Sequence, residues 1–187
     1  MTGIVSLWLP ILLSAVLVFV ASSIIHMALK YHKADIRPLP SEDAVRDAIS
    51  KANPPPGLYF TPYCMDHKQM KESATKAKFD KGPVAVLTIY PNGAPILPKH
   101  LALWFGFSLL VSFIAGYVAR HTLHPGADGF LAMRVTGTVA FAGYGLSHIS
   151  DSIWKGQPWG NTARALLDGV IYAVLTGSMF CLLWPAA

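Results

Sequence analysis

The chain has 187 residues, 53% of them hydrophobic and only 13% charged, with a formal charge of +5. Soluble domains carry about 25% charged residues, so this balance excludes an ordinary soluble domain and points to a membrane protein. Two cysteines, Cys64 and Cys181, cannot supply a disulfide framework, and Cys64 in its polar stretch reads as a thiol in a reducing compartment.

A bilayer core about 30 Å thick needs roughly 20 apolar residues of helix. The first such stretch runs from Ile4 to Leu29. It has no basic leader and no clean small-x-small site, so it reads as an uncleaved span rather than a signal peptide. Residues 30–98 follow as a polar insertion. "LPSEDAVRDAIS" predicts a short helix, with Ser41 as cap and Glu42 and Asp43 at its positive end. "NPPPG" breaks it. "GLYFT" and "PVAVLTIY" read as strands, and "PNGAP" turns the chain back. Between them "MDHKQMKESATKAK" predicts a second helix capped by Asp66, with Gln69 three residues on. Three more spans are expected near 101–119, 130–150 and 162–184. The fold class is therefore an all-α membrane bundle of four transmembrane helices. A small α+β cytoplasmic insertion separates the first helix from the three-helix region 99–187.

Lysine and arginine set the direction. Eleven of the fifteen lie between Lys30 and His100, and the N-terminus before the first span has none. Both termini should face outward, and the insertion should face the cytoplasm. Trp8 and Trp184 then fall at the outer boundary, while Trp104, Trp154 and Trp159 fall at the inner one. The insertion holds nearly balanced charge, which argues against nucleic acid as a partner. The lysines from Lys68 to Lys81 read as a solvated helix face, with anionic lipid headgroups as the rarer use of such a row.

Two rows in the last span carry the interest. Ala165, Gly169, Ala173 and Gly177 recur every four residues and form a flat seam for close helix packing. Beside them run Arg164, Asp168, Tyr172 and Thr176. Asp168 lies about 10 Å into its span, and charged groups there face protein or water. An antiparallel hairpin centred near Gly156 puts Tyr144 level with Asp168 and His148 level with Arg164. The expected intramembrane polar cluster is His26, Tyr144, His148, Arg164 and Asp168, with Asp168 accepting from Arg164 and Tyr144. Its simplest role is to pin the register of the bundle, because buried charge must be paired whatever its use. A proton or ion relay is the functional alternative. No nucleophile stands at a recognisable spacing from these groups, so no catalytic residue is assigned. Arg134, near the outer boundary, should snorkel there or meet Asp128.

"CMDHKQM" offers Cys64, His67 and Met70, with Met65 beside them, a soft donor set that suits Cu(I). The helix cap expected at Asp66 places Cys64 off the face shared by the other two.

The stretches "SSIIHMALKYHKAD", "LPSEDAVRDAI", "KGPVAVLTIYPNGAP", and "SIWKGQPW" followed by "LLDGVIYAVLTG", resemble in their order a group of small four-span bacterial inner-membrane proteins with no assigned function. The resemblance covers nearly the whole chain. It implies an inner-membrane location and brings no activity or functional residues. The leading expectation is a non-enzymatic, self-associating or accessory membrane component with lipid and further copies, or a larger complex, as partners. A small proton or ion channel or transporter comes next, then a Cu(I)-handling protein. A lipid-directed enzyme comes last.

Overall fold

A computed structural model describes residues 3–64 and 66–186. The chain forms two compact units, Met1–Ile36 with Ile96–Ala187, and Arg37–Pro95. The first unit is helical. A short 3-10 turn, Ile4–Leu7, leads into α1 (Trp8–Met27), and later come α4 (Leu97–Thr122), α5 (Gly129–Phe141), α6 (Ser147–Lys155) and α7 (Trp159–Leu182). Three helical runs, Ile4–Met27, Leu97–Thr122 and Trp159–Leu182, are long and apolar enough to cross a membrane, with mean hydropathies of 2.6, 2.0 and 1.8. By that length and composition the chain is an integral, multi-pass membrane protein in contact with lipid.

The region expected as the third span differs from a plain helix. A π-helical turn, Ala142–Leu146, separates α5 from α6, with right-handed helical backbone at both junctions. Its sequence, "AGYGL", explains the break. Gly143 and Gly145 flank Tyr144, and glycine weakens the ordinary helical ladder. An inserted residue of this kind re-aims the side chains beyond it.

The bundle packs α5 on α7, with α1 against α4 and α7, and α4 against α5. Val18, Ile25, Val111, Ala140, Tyr144, Tyr172 and Ala173 make its core. Hydroxyls accompany these apolar groups. Ser14, Ser108 and Thr136 return their hydroxyls to carbonyls within their own helices, which satisfies them without a cross-chain partner. The Ser22 hydroxyl likewise donates to the Phe19 carbonyl at 2.9 Å, and it also accepts from the Trp104 indole at 2.7 Å, which ties α1 to α4. At one end the tail is fastened to the loop after α4: the Gly126 N–H donates to the Pro185 carbonyl at 2.8 Å, and the Trp184 indole to the His124 carbonyl at 3.2 Å. The Asp128 carboxylate caps α5, accepting from the Phe130 N–H at 3.1 Å, so its local role is a helix cap rather than a partner for Arg134.

The second unit contains α2 (Glu42–Ala52), β1 (Gly57–Thr61), α3 (Ser73–Lys81) and β2 (Ala85–Ile89). The strands pair antiparallel, with Tyr59 opposite Leu87, and form a two-stranded sheet. Ser41 precedes α2 with a left-handed backbone and makes no side-chain cap bond. Asp66 does not start the second helix. Its carboxylate accepts from the Lys68 N–H at 2.8 Å in a local turn, a short 3-10 turn follows, and α3 begins at Ser73. Among the described residues of this unit Cys64 is the one buried side chain.

Candidate functional site

Three pieces of chain build the site: the end of α1, the 3-10 turn Tyr31–Ala34 just after it, and the first half of α7. The chain leaves α1 at Met27 and turns back over the bundle within four residues. That brings Tyr31 and His32 onto Asp168, which is 5% exposed. The Tyr31 hydroxyl donates to Oδ1 of Asp168. The His32 Nε2 lies 2.9 Å from Oδ2, and the His26 Nε2 lies 3.9 Å from the same oxygen. The rings of His26 and His32 stack, with centroids 4.5 Å apart.

A second layer holds the first. The Nδ1 of His32 lies 2.6 Å from Oδ2 of Asp35, whose Oδ1 accepts from the Arg164 Nε at 2.6 Å and from its Nη2. Arg164 is steadied by the Asn161 side-chain oxygen at 2.8 Å, and the Asn161 amide donates to the Asp35 carbonyl at 3.0 Å. Polar atoms thus run in sequence from Arg164 through Asp35 and His32 to Asp168 and Tyr31. The arrangement compensates the two carboxylates, which burial would otherwise penalise.

No family model, no curated protein and no solved structure matches this chain. The chemistry of the site therefore rests on its own geometry. The side chains of His26, His32 and Asp168 each offer one donor atom, all within 4.8 Å of one another, so this group has the reach to hold a metal ion.

The cluster differs from the sequence expectation in its membership. Asp168 takes Tyr31 and His32 as partners, not Arg164 and Tyr144. Arg164 lies one helical turn before Asp168 and turns to Asp35, which offers an ion pair without competition from Tyr31. Tyr144 is buried, but the π turn directs its ring among Trp104, Phe107 and Tyr172, and its hydroxyl donates to the Ser108 carbonyl at 3.4 Å. His148 meets α7 through its backbone, its carbonyl accepting from the Thr162 hydroxyl at 3.4 Å. His26 stays in the group. Tyr31, His32, Asp35 and Asn161 are the members that sequence reasoning missed. One signal was available: "HMALKYHKAD" places two imidazoles, a phenol and a carboxylate within ten residues of a span's end.

The seam residues go elsewhere. A Cβ on Gly169 would stand 2.9 Å from the Cα of Gly145, and one on Gly177 would stand 2.9 Å from the Met133 carbonyl oxygen. A Cβ on Gly137 would meet the Ala173 carbonyl at 3.3 Å. Gly169, Ala173 and Gly177 of the row are therefore used inside the chain, against α5 and the π turn, while Ala165 is half-buried. Of the soft donors, Cys64 is buried with its thiol 3.5 Å from the Asp66 carbonyl, His67 and Met70 are exposed, and Met65 lies outside the described residues.

Electrostatics at the edge of the site give one measurable consequence. Burial by itself would raise the Asp35 carboxyl, but hydrogen bonds from His32 and Arg164, with the Arg164 charge, outweigh it and hold the group below the usual carboxylate value. Burial and the bond to Asp168 push the Tyr31 phenol upward. A carboxyl lowered in the folded state stabilises the fold fully above the unfolded value of about 3.9, and that contribution is lost as pH falls through the lower folded value. Arg164→Ala removes one of the two hydrogen-bonding partners and its charge, leaving His32 as the opponent of burial, so the loss begins at higher pH. Helical ellipticity of the detergent-solubilised protein against pH should show the acid transition moved upward. An unmoved acid midpoint would refute the pairing.

Proposed function

We propose that the chain is a non-enzymatic, self-associating component of a bacterial inner membrane, with Arg37–Pro95 as its assembly surface. The supporting observation is the state of that unit. Its described residues bury one side chain, Cys64, and its sheet has two strands and therefore two unpaired edges. Two-stranded ribbons are marginal in water, and an open edge is a template for a further strand. Leu58 and Leu87 stand exposed on the two strands, at 65% and 37%. The register sets Leu58 opposite Thr88 and Leu87 opposite Tyr59, so the two leucines leave each face of the sheet with apolar surface. A second copy offers the same edge, which suits a two-fold pairing.

In this reading the polar cluster is the fastening that holds the chain where it leaves α1 on its way to the assembly unit. The seam of α7 is filled by its own chain, which moves the self-association surface away from the spans. The run from Gly129 to Lys155 serves as a fourth span, being about 40 Å long at 1.5 Å per residue. The excess of lysine and arginine in 30–100 sets the insertion on the cytoplasmic side and both termini outside.

Mass measurement of the protein in detergent tests this reading. The wild type should run as two copies or more, and Leu58→Lys with Leu87→Lys should run as one, because a charge on an edge opposes strand addition. A wild type that stays at one copy across micromolar concentrations overturns the proposal, as does a double variant that assembles unchanged.

A further inference from the structure

We infer that His26, His32 and Asp168 form a binding site for a divalent transition cation of the zinc class, supported by Asp35 and Arg164. The Nδ1 of His26 lies 2.9 Å from the Ser22 carbonyl oxygen, which can only accept, so this nitrogen carries the hydrogen. The Nδ1 of His32 lies 2.6 Å from an Asp35 oxygen, and Arg164 keeps Asp35 ionised, so this nitrogen carries its hydrogen too. In the neutral form of each ring the Nε2 is then the lone-pair atom. Both Nε2 atoms lie beside one oxygen of a buried carboxylate, at 2.9 and 3.9 Å. Two lone pairs and an anionic oxygen crowd together there, an arrangement that a cation stabilises.

A proton answers part of this demand. Held between His32 and Asp168 it satisfies the 2.9 Å contact, but the His26 Nε2 at 3.9 Å is outside hydrogen-bond range and gains nothing. A metal ion uses all three atoms once the His26 ring tilts out of its stack on His32, so that both in-plane lone pairs meet at one point. Bonds of about 2.0–2.1 Å in a tetrahedron place donor atoms roughly 3.3 Å apart, and the two measured separations bracket that value. The ring with most freedom to adjust is His26, whose side chain is 53% exposed against 14% for His32 and 7% for Asp168. The exposed side also leaves a fourth position open to water or a further ligand.

The surroundings match what holds a metal-binding imidazole. Such rings donate their remaining N–H to a carboxylate or a backbone carbonyl, which fixes the tautomer and the ring's direction. His32 has the carboxylate and His26 has the carbonyl. Tyr31 occupies the other oxygen of Asp168, so Oδ2 remains the coordinating atom. With both imidazoles neutral, Asp35, Asp168 and Arg164 sum to one negative charge, and a divalent ion reverses it. Two nitrogens and one carboxylate oxygen favour zinc-like ions over calcium or magnesium, which prefer all-oxygen sets, and over Cu(I), which prefers sulfur.

The test uses the full chain in detergent, stripped of metal, with Zn(II) added in competition with a chromophoric chelator and Co(II) as a spectroscopic probe. Expected are one Zn(II) per chain and the visible absorption of four-coordinate Co(II). His26→Ala should weaken binding at least about tenfold, as loss of a ligand exceeds loss of a supporting group, and Asp35→Asn should weaken it about 10–100-fold. Asp168→Asn should abolish binding. If that variant does not fold, His26→Ala decides alone, since its ring is exposed. Cys64→Ser with His67→Ala should bind like the wild type. The inference is overturned if the wild type binds no Zn(II) at micromolar free metal. It is also overturned if His26→Ala binds as tightly as the wild type, or if binding disappears with Cys64 and His67. Stoichiometry is counted per chain, so the result does not depend on whether the protein assembles.

Discussion

Asp168→Ala should lower the stability of the solubilised protein by about 3 kcal/mol, the scale found when one member of a buried ion pair is removed. Two costs add. The Tyr31 hydroxyl loses its acceptor, and the His32 Nε2 loses its partner at 2.9 Å, with little solvent to replace either. The wider effect is on the chain that leaves α1. Residues 31–35 are held to α7 by Asp168 on one side and by Arg164 and Asn161 on the other. Without Asp168 the Arg164 pair remains, so the turn should loosen rather than detach. His32→Ala and Asp168→Ala combined should therefore cost less than their sum, because the two changes delete the same contact. Denaturant unfolding of the four proteins in one detergent gives the cycle. Strict additivity, or an Asp168→Ala protein within about 0.5 kcal/mol of the wild type, would show that the carboxylate is not holding the turn.

Gly169→Leu should disrupt the packing of α7 on the π turn and prevent the native bundle, with Gly169→Ala costing about 1–3 kcal/mol. The decisive fact is what the new atom meets. A Cβ there would stand 2.9 Å from the Gly145 Cα and 3.2 Å from its nitrogen. Backbone atoms cannot rotate aside as a side-chain end can, so the helices must separate. Separation would also shift Asp168, the preceding residue, away from His32. Gly106→Ala, in α4, is the matched control, since nothing lies within 4 Å of its added Cβ. It should be neutral or stabilising by up to about 1 kcal/mol, the helix-propensity difference. Equal stability of Gly169→Ala and Gly106→Ala would mean that the close approach of Gly169 to Gly145 does not constrain the bundle.

Sequence reasoning reached Asp168 and His26 by the cost of polar groups beside an apolar run. It erred on their partners for a geometric reason. Projecting a hairpin from Gly156 assumes an unbroken helix, and the π turn at Ala142–Leu146 inserts a residue that turns Tyr144 toward Trp104 and Tyr172. The same projection treated the residues after Leu29 as the start of an excursion into solvent. Instead the 3-10 turn at Tyr31–Ala34 folds back, which a pattern of period 3.6 cannot reveal. Small residues were readable as a seam but not their occupant, because four-residue spacing marks a flat face without saying which chain lies on it.

Composition and hydropathy alone determined that this is a membrane protein, that its long apolar helices are interrupted by a small α+β insertion, and that one acid lies where hydrocarbon would be costly. Those properties belong to single segments, and each follows from the transfer energy of the residues within it. Tertiary structure alone decided which imidazoles reach that acid, where Arg164 places its charge, and that Gly169 and Gly177 are covered by Gly145 and Met133. Distances of this kind depend on how a turn closes and where a helix gains a residue, and such choices are settled by packing among segments far apart in the chain.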